Sequence, residues 1–242
     1  MSLCGQRLRD HLYRYLRTQE PSVLSAVQRD AGGDTQYRID AEMERLLLDL
    51  CREWAREVPF VLIAEGLAED GWYPLPEGSP MEEAEFLLII DPIDGTRPLM
   101  YDKRSAWILS GIAPNFGKET TLEHIGIAVQ TELPTTRQYL AYQLWAVKGQ
   151  RAHAERHDML TGAVQNTSTG GQLFELMAGH DRFVADLRPW AFQKLGYEQS
   201  PLTCHPYDIC TALIAQELGV EITNLYGEPL RTPLDIRAPV GW

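Results

Sequence analysis

Phe86-Leu87-Leu88-Ile89-Ile90 is uniformly apolar and runs without a break into Asp91-Pro92-Ile93-Asp94-Gly95-Thr96. Five apolar residues with no polar alternation predict a strand covered on both faces, and such a strand needs a sheet inside a layered fold. Ionised carboxylates within that layer would be desolvated at great cost. Asp91 and Asp94 are therefore expected just past the carboxyl end of the strand, where α/β sheets bind ligands. Pro92 fixes one backbone torsion and donates no amide hydrogen, and Gly95 can take positive φ. A bend there can aim both carboxylates and the Ile93 carbonyl at one point. Taken alone, Asp-x-x-Asp-Gly is more often an ordinary capped turn, so other acids must separate the two readings.

The surrounding chain supplies the layers. Ile39, Met43, Leu46, Leu47, Leu50, Trp54 and Val58 recur at three- and four-residue steps, which predicts an amphipathic helix. Residues 59–66 form a short apolar β-type run that reaches Glu65, and residues 66–85, rich in Gly, Pro and acid, read as an exposed excursion. Three further β-type stretches, 105–113, 124–133 and 139–147, follow with few helices between them, which favours antiparallel pairing. The small, polar stretch 161–171 is the expected joint between two parts, 1–160 and 161–242. Beyond it, residues 207–219 predict a helix stopped by Gly219, then a strand at 220–223 and a turn at 224–229. No internal repeat is present.

The formal net charge of −12 excludes nucleic acid polymers and anionic membranes as partners, because both require clustered Lys and Arg. It points to a cation instead. Cys4, Cys51, Cys204 and Cys210 form no Cys-x-x-Cys pair and sit among apolar residues as small hydrophobes, as a reducing cytoplasm allows. The first residues alternate charge with apolar side chains, so neither a signal peptide nor a membrane span is expected.

Two distant acids join Asp91 and Asp94 as candidates. Glu65 ends an apolar run, and Asp208 opens a predicted helix. Four carboxylates about 5 Å apart would repel by about 3 kcal/mol per ionised pair, or on the order of 10–20 kcal/mol together. That rivals the stability of a domain. Protons or divalent cations must be present, and an all-oxygen set at neutral pH suits Mg²⁺ better than zinc.

These residues resemble the inositol monophosphatase-like family, which includes relatives acting on fructose bisphosphate and on 3′-phosphoadenosine phosphates. The family signature Asp-Pro-Ile/Leu-Asp-Gly-Thr stands intact at Asp91–Thr96. Glu65 matches the first glutamate of the upstream Gly-Glu-Glu, with Gly66 in place of the second; Asp40 matches the early Thr-x-x-Asp, and Asp208 the late Trp-Asp helix. The segment 144–152 resembles the Ala-x-x-Gly-x-Gly-Ala strand and turn, with Arg151 replacing a glycine. The matches run in family order from about residue 33 to 230.

The resemblance implies an α+β N-terminal part, carrying most metal ligands, and an α/β C-terminal part, in a layered α/β/α/β/α sandwich, commonly dimeric. It implies a Mg²⁺-dependent, lithium-sensitive phosphomonoesterase acting on a small inositol-, sugar- or nucleotide-type phosphate. Glu65, Asp91, the Ile93 carbonyl, Asp94 and Asp208 would hold two Mg²⁺, and Asp40 would steady a third through water. Thr96, with Asp40 and Glu65, would serve catalysis by orienting the attacking water, while the Gly95 and Thr96 amides and Arg97 would bind substrate phosphate. Gly66 and Pro201 depart from the family at positions that help place water and bind inositol, and Glu198 has no spacing that makes it a substitute. The chain stops at residue 242, where relatives continue with another strand and helix. A catalytically weak phosphate-binding or regulatory protein therefore stays open as the alternative. His205 is expected as a packed side chain. His153 and His157 lack the glutamate spacing of a zinc protease, so 153–157 is expected as an exposed charged segment.

Overall fold

Cys4, Leu8, Leu12 and Leu16 recur every four residues and form the buried face of helix α1 (Ser2–Thr18). The computed structural model describes residues 2–24, 26–31, 34–65, 67, 70–167, 183–196 and 203–242. After the short helix α2 (Pro21–Leu24), strands β1 (Val27–Ala31) and β2 (Asp34–Tyr37) pair as an antiparallel hairpin. Helix α3 (Arg38–Ala55) is the amphipathic helix of the sequence pattern. Ile39, Met43, Leu47, Leu50 and Cys51 are buried, whereas Val58 lies beyond the helix end and is exposed.

Among the described residues, a sheet of eight strands carries the fold beside the β1–β2 hairpin. In chain order these are β3 (Phe60–Ile63), β4 (Trp72–Leu75) and β5 (Phe86–Asp94), then, after helix α4 (Thr96–Met100), β6 (Ala106–Pro114) and β7 (Ile127–Leu133). They are completed by β8 (Leu140–Val147), β9 (His153–Asp158) and β10 (Val164–Thr167). The spatial order is β10-β9-β8-β7-β6-β5-β3-β4. Only β3 and β5 pair in parallel, and the remaining neighbours are antiparallel, as the scarcity of crossover helices requires.

Strand alternation sorts the apolar runs onto two cores. Phe60, Leu62, Leu88, Ile90 and Ile108 pack with α1 and α3 on one face. Val61, Ile63, Leu87, Ile89 and Leu109 face the other side, where they meet α6 (Pro206–Ile209) and α7 (Ala212–Gln216), which follow α5 (Arg188–Lys194) in the chain. Each fully buried Leu or Ile contributes about 1.5–3 kcal/mol of burial. β5 is thus the doubly covered strand its composition demands. Helix, sheet and helix give three of the five expected layers among the described residues. No helix among them is long and apolar enough to cross a membrane, and all four cysteines are buried and unpaired.

Several local expectations are corrected. The excursion 66–85 contains β4, whose Trp72 and Leu75 are buried against the sheet. Residues 153–157 form β9 rather than an exposed segment: paired on both sides, β9 buries Ala154 and His157, and the His157 ring meets Glu155 at 3.2 Å. Residues 164–167 of the expected joint extend the sheet as β10, and 168–171 lie outside the described residues. The helix predicted over 207–219 breaks at Cys210–Thr211 into α6 and α7, because α6 reaches β5 and β6 while α7 packs on β7 and β8. Gly219, at φ +87°, ends the segment as anticipated. Residues 220–223 form no strand; Ile222 is buried, but no strand among the described residues pairs with the segment.

Candidate metal and phosphate site

In a regular strand, residues three apart point to opposite faces, which would send Asp91 and Asp94 to opposite sides of the sheet. The register resolves this. Asp91 pairs with Leu109 and Asp94 with Trp107, so three steps on β5 oppose two on β6. This one-residue bulge re-phases the strand. Ile90 and Ile93 both remain in the α1/α3 core, and both aspartates turn toward α6. Pro92 sits within the bulge, where its missing N–H breaks no ladder bond. Asp91 is braced by its own turn, its Oδ1 accepting the Ile93 N–H at 2.9 Å.

Asp208 arrives from α6. His205 is the N-cap, and its N–H donates to Asp208 Oδ2 at 2.6 Å, so one carboxylate oxygen fixes the helix end. Close approach of α6 to the sheet depends on Gly111, which faces Ile89 across the β5–β6 pair. A Cβ there would lie 2.9 Å from Ile125 Cδ1 and 3.2 Å from the Cys210 carbonyl. With hydrogen in its place, one oxygen from each of Asp91, Asp94 and Asp208 lies within 4.8 Å of the others.

Asp40 stands at the first turn of α3. Its Oδ2 accepts the Tyr37 N–H at 2.8 Å, and its Oδ1 accepts the Thr96 hydroxyl at 2.9 Å. The Thr96 hydroxyl also lies 3.2 Å from the Ile93 carbonyl. Gly95 makes this junction, since as N-cap of α4 it holds φ +99°, a left-handed conformation that any other residue takes with strain. Arg97 is exposed, donates to the Tyr37 hydroxyl at 2.9 Å and lies over the Tyr37 ring.

Glu65 occupies the turn after β3 and is exposed. It accepts the Tyr207 hydroxyl and is close enough to raise the Asp91 and Asp208 carboxyls. It stands beside the three-aspartate cluster rather than within it. Gly66, Glu198 and Pro201 lie outside the described residues.

The electrostatics are those of buried acids crowded together. Burial, then Asp94 and Asp208, push the Asp91 carboxyl well above its ordinary range. Burial raises Asp94 against the opposing charge of Arg104, and Asp208 is raised by burial, with help from Asp94 and Glu65, to about 7. The flanking thiols of Cys204 and Cys210 are themselves driven far upward by burial. They remain protonated and are poor metal ligands. His205 is stacked on Tyr207 with ring centroids 5.4 Å apart, a packed residue as expected. The donor set is therefore all oxygen and anionic, which fits a hard divalent cation.

Beside the cluster lies a cleft of about 760 Å³ whose walls include Asp94, Asp208, Asp186, Arg188 and Trp242. Asp186, Arg188 and Tyr207 escape sequence reasoning, since an Asp-x-Arg pair and a lone Tyr resemble any surface residues until the fold places the pair at a cleft and the Tyr207 hydroxyl against Glu65.

Compared by sequence, the chain matches no family model and no curated protein. Compared by structure, it is similar to Leishmania major fructose-1,6-bisphosphatase in its holo form, with a TM-score of 0.65 and 12% identity, over 99% of this chain and 86% of that one. It is also similar to a putative sedoheptulose-1,7-bisphosphatase from Toxoplasma gondii, with a TM-score of 0.63 and 14% identity, over 99% and 89% of the two chains. The chain has the layered fold of these sugar bisphosphatases, which is the fold that its resemblance to the inositol monophosphatase-like family implies.

Proposed function

We propose that the chain is a Mg²⁺-dependent phosphomonoesterase acting on a small sugar-type phosphate. The observation that carries this reading is the gathering of Asp91, Asp94 and Asp208 within 4.8 Å, next to a Thr96 hydroxyl already committed to Asp40. Asp91, Asp94 and Asp208, with Glu65 beside them, would hold the cations. When bound, Mg²⁺ supplies a Lewis acid that lowers the pKa of water and neutralises phosphate charge. The protein's own part is positional. Thr96 has one hydroxyl proton and gives it to Asp40, which leaves its oxygen lone pairs to accept a hydrogen bond from the attacking water. Asp40 cannot swing away, because its second oxygen caps α3. The backbone amides of Gly95 and Thr96, at the N-terminal end of α4, would donate to phosphate oxygens. No side chain need form a covalent phospho-enzyme.

The test is phosphate release from a panel of sugar, inositol and nucleotide monoesters with Mg²⁺, with and without Li⁺. At least one sugar phosphate should be hydrolysed, with Asp94→Asn lowering kcat/KM by about 10³-fold or more. Silence across the panel while Mg²⁺ still binds would replace the enzyme by a phosphate-binding protein.

A further inference from the structure

Thr96 and Asp40 belong to a closed ring of contacts that also takes in Tyr37 and Arg97. Tyr37 ends β2 and is the N-cap of α3, and its N–H donates to Asp40 Oδ2 at 2.8 Å. The Thr96 hydroxyl donates to Asp40 Oδ1 at 2.9 Å. Arg97, the next residue along α4, closes the ring: its Nε donates to the Tyr37 hydroxyl at 2.9 Å, and its Cζ lies 5.9 Å from the Tyr37 ring centroid. Two bridges, Asp40–Thr96 and Tyr37–Arg97, thus join the β2–α3 junction to the first two residues of α4.

The start of α4 needs the second bridge. The helix is five residues long, far shorter than the roughly 12–15 at which a helix holds itself together, and its N-cap, Gly95, makes no side-chain cap. One hydrogen bond by itself leaves the Thr96 hydroxyl a choice, because the Ile93 carbonyl lies 3.2 Å away, against 2.9 Å for Asp40 Oδ1. The choice matters chemically. A hydroxyl has one proton, and the acceptor it takes sets the direction of the lone pairs left for water. If α4 drifted from Asp40 by a few tenths of an ångström, the two acceptors would compete on equal distances. An exposed arginine over a tyrosine ring contributes too little to decide the fold. It is enough to decide between two acceptors, whose hydrogen bonds differ by a similarly small amount.

Resting on the phosphatase reading above, we propose that Arg97 and Tyr37 are positioning residues that hold the Thr96 hydroxyl on Asp40 instead of on the Ile93 carbonyl. Thr96 then keeps its lone pairs turned to the attacking water. In this role Arg97 acts through its neighbour in the chain and through Tyr37, and not by binding the substrate phosphate.

The experiment measures kcat and KM at saturating Mg²⁺, on the substrate of the panel that wild-type protein hydrolyses fastest. The variants are Tyr37→Phe, Arg97→Gln, Arg97→Lys and the double variant Tyr37→Phe with Arg97→Gln. Tyr37→Phe and Arg97→Gln should each lower kcat by about 5- to 20-fold with KM unchanged. The double variant should lose no more than the larger single loss, because both residues act through one bridge. Arg97→Lys keeps a donor for the phenol oxygen and should recover part of the loss. Amide hydrogen exchange reads the ring without turnover: in Arg97→Gln the Tyr37 N–H, which donates to Asp40, should exchange about 5-fold faster than in wild type. Tyr37→Phe removes one oxygen and covers the case in which Arg97→Gln does not fold. A raised KM in Arg97→Gln, with Tyr37→Phe at the wild-type rate, makes Arg97 a phosphate ligand and overturns this inference alone. Additive losses in the double variant, or unchanged exchange at Tyr37, overturn it in the same way. Absence of wild-type turnover on every substrate of the panel overturns it together with the phosphatase reading.

Discussion

Asp208→Asn isolates the energetic cost of gathering acids without a cation. The folded-state value of Asp208 is raised from 3.8 to about 7, so the folded protein holds this proton more tightly than the unfolded chain. The stability it contributes is fully present below the unfolded value and is lost as pH rises through about 7. The whole difference amounts to about 4 kcal/mol, of which about 2 kcal/mol disappears between roughly pH 5.5 and 8.5. The Asp208 side chain is 28% exposed, so solvent trims these figures without removing them. Asparagine keeps an oxygen to accept the His205 N–H, which preserves the cap on α6. In thermal unfolding without divalent cation, wild-type protein should therefore lose about 4–8 °C more than Asp208→Asn over that pH interval, at 2–4 °C per kcal/mol for a chain of this size. Above pH 8 the variant should be the more stable of the two. Mg²⁺ should reverse the order, because saturation at about a hundred times Kd adds about 2.7 kcal/mol to the wild type and much less to a variant lacking one ligand. Parallel pH profiles for the two proteins, or a metal-free variant that melts below wild type at pH 8.5, would refute the reasoning that the cluster stores uncompensated charge.

Thr96→Ala should lower kcat by about 10²-fold with Mg²⁺ affinity unchanged by calorimetric titration, and Thr96→Ser should restore most of it; equal turnover in the alanine variant would remove Thr96 from the reaction. Gly111→Ala should cost about 1–3 kcal/mol in urea unfolding, because its Cβ meets Ile125 and the Cys210 carbonyl. It should also weaken Mg²⁺ binding by moving Asp208 outward. A destabilised protein with intact Mg²⁺ affinity would break the link drawn from Gly111 to the site.

The chain's own chemistry announced the parts that are locally determined. Apolar runs with no alternation become β3 and β5 whatever surrounds them, and the three-four spacing of Ile39, Met43, Leu47 and Leu50 admits one buried helix face. The acids at 65, 91 and 94 were legible as candidates because carboxylates ending apolar runs are costly unless compensated, Asp208 as the acid opening a predicted helix, and Asp40 only through the family resemblance. The tertiary structure decided everything that depends on a partner. β4 and β9 are short and partly polar, and they become strands only because neighbours complete their ladders. The helix predicted over 207–219 breaks because its two ends pack on different strands.

The same division runs through the site. Sequence alone set which residues carry negative charge and that a bend lies between Asp91 and Asp94. It could not say that they face one way, since that depends on a single-residue slip in pairing with β6. Nor could it place Asp208, which reaches the cluster through the hydrogen-sized gap at Gly111, or tie Thr96 to Asp40, 56 residues apart. Arg188 and Asp186 had no local signature at all. Residue type and periodicity are properties of the chain, whereas direction and proximity are set by register and close packing between segments far apart in it.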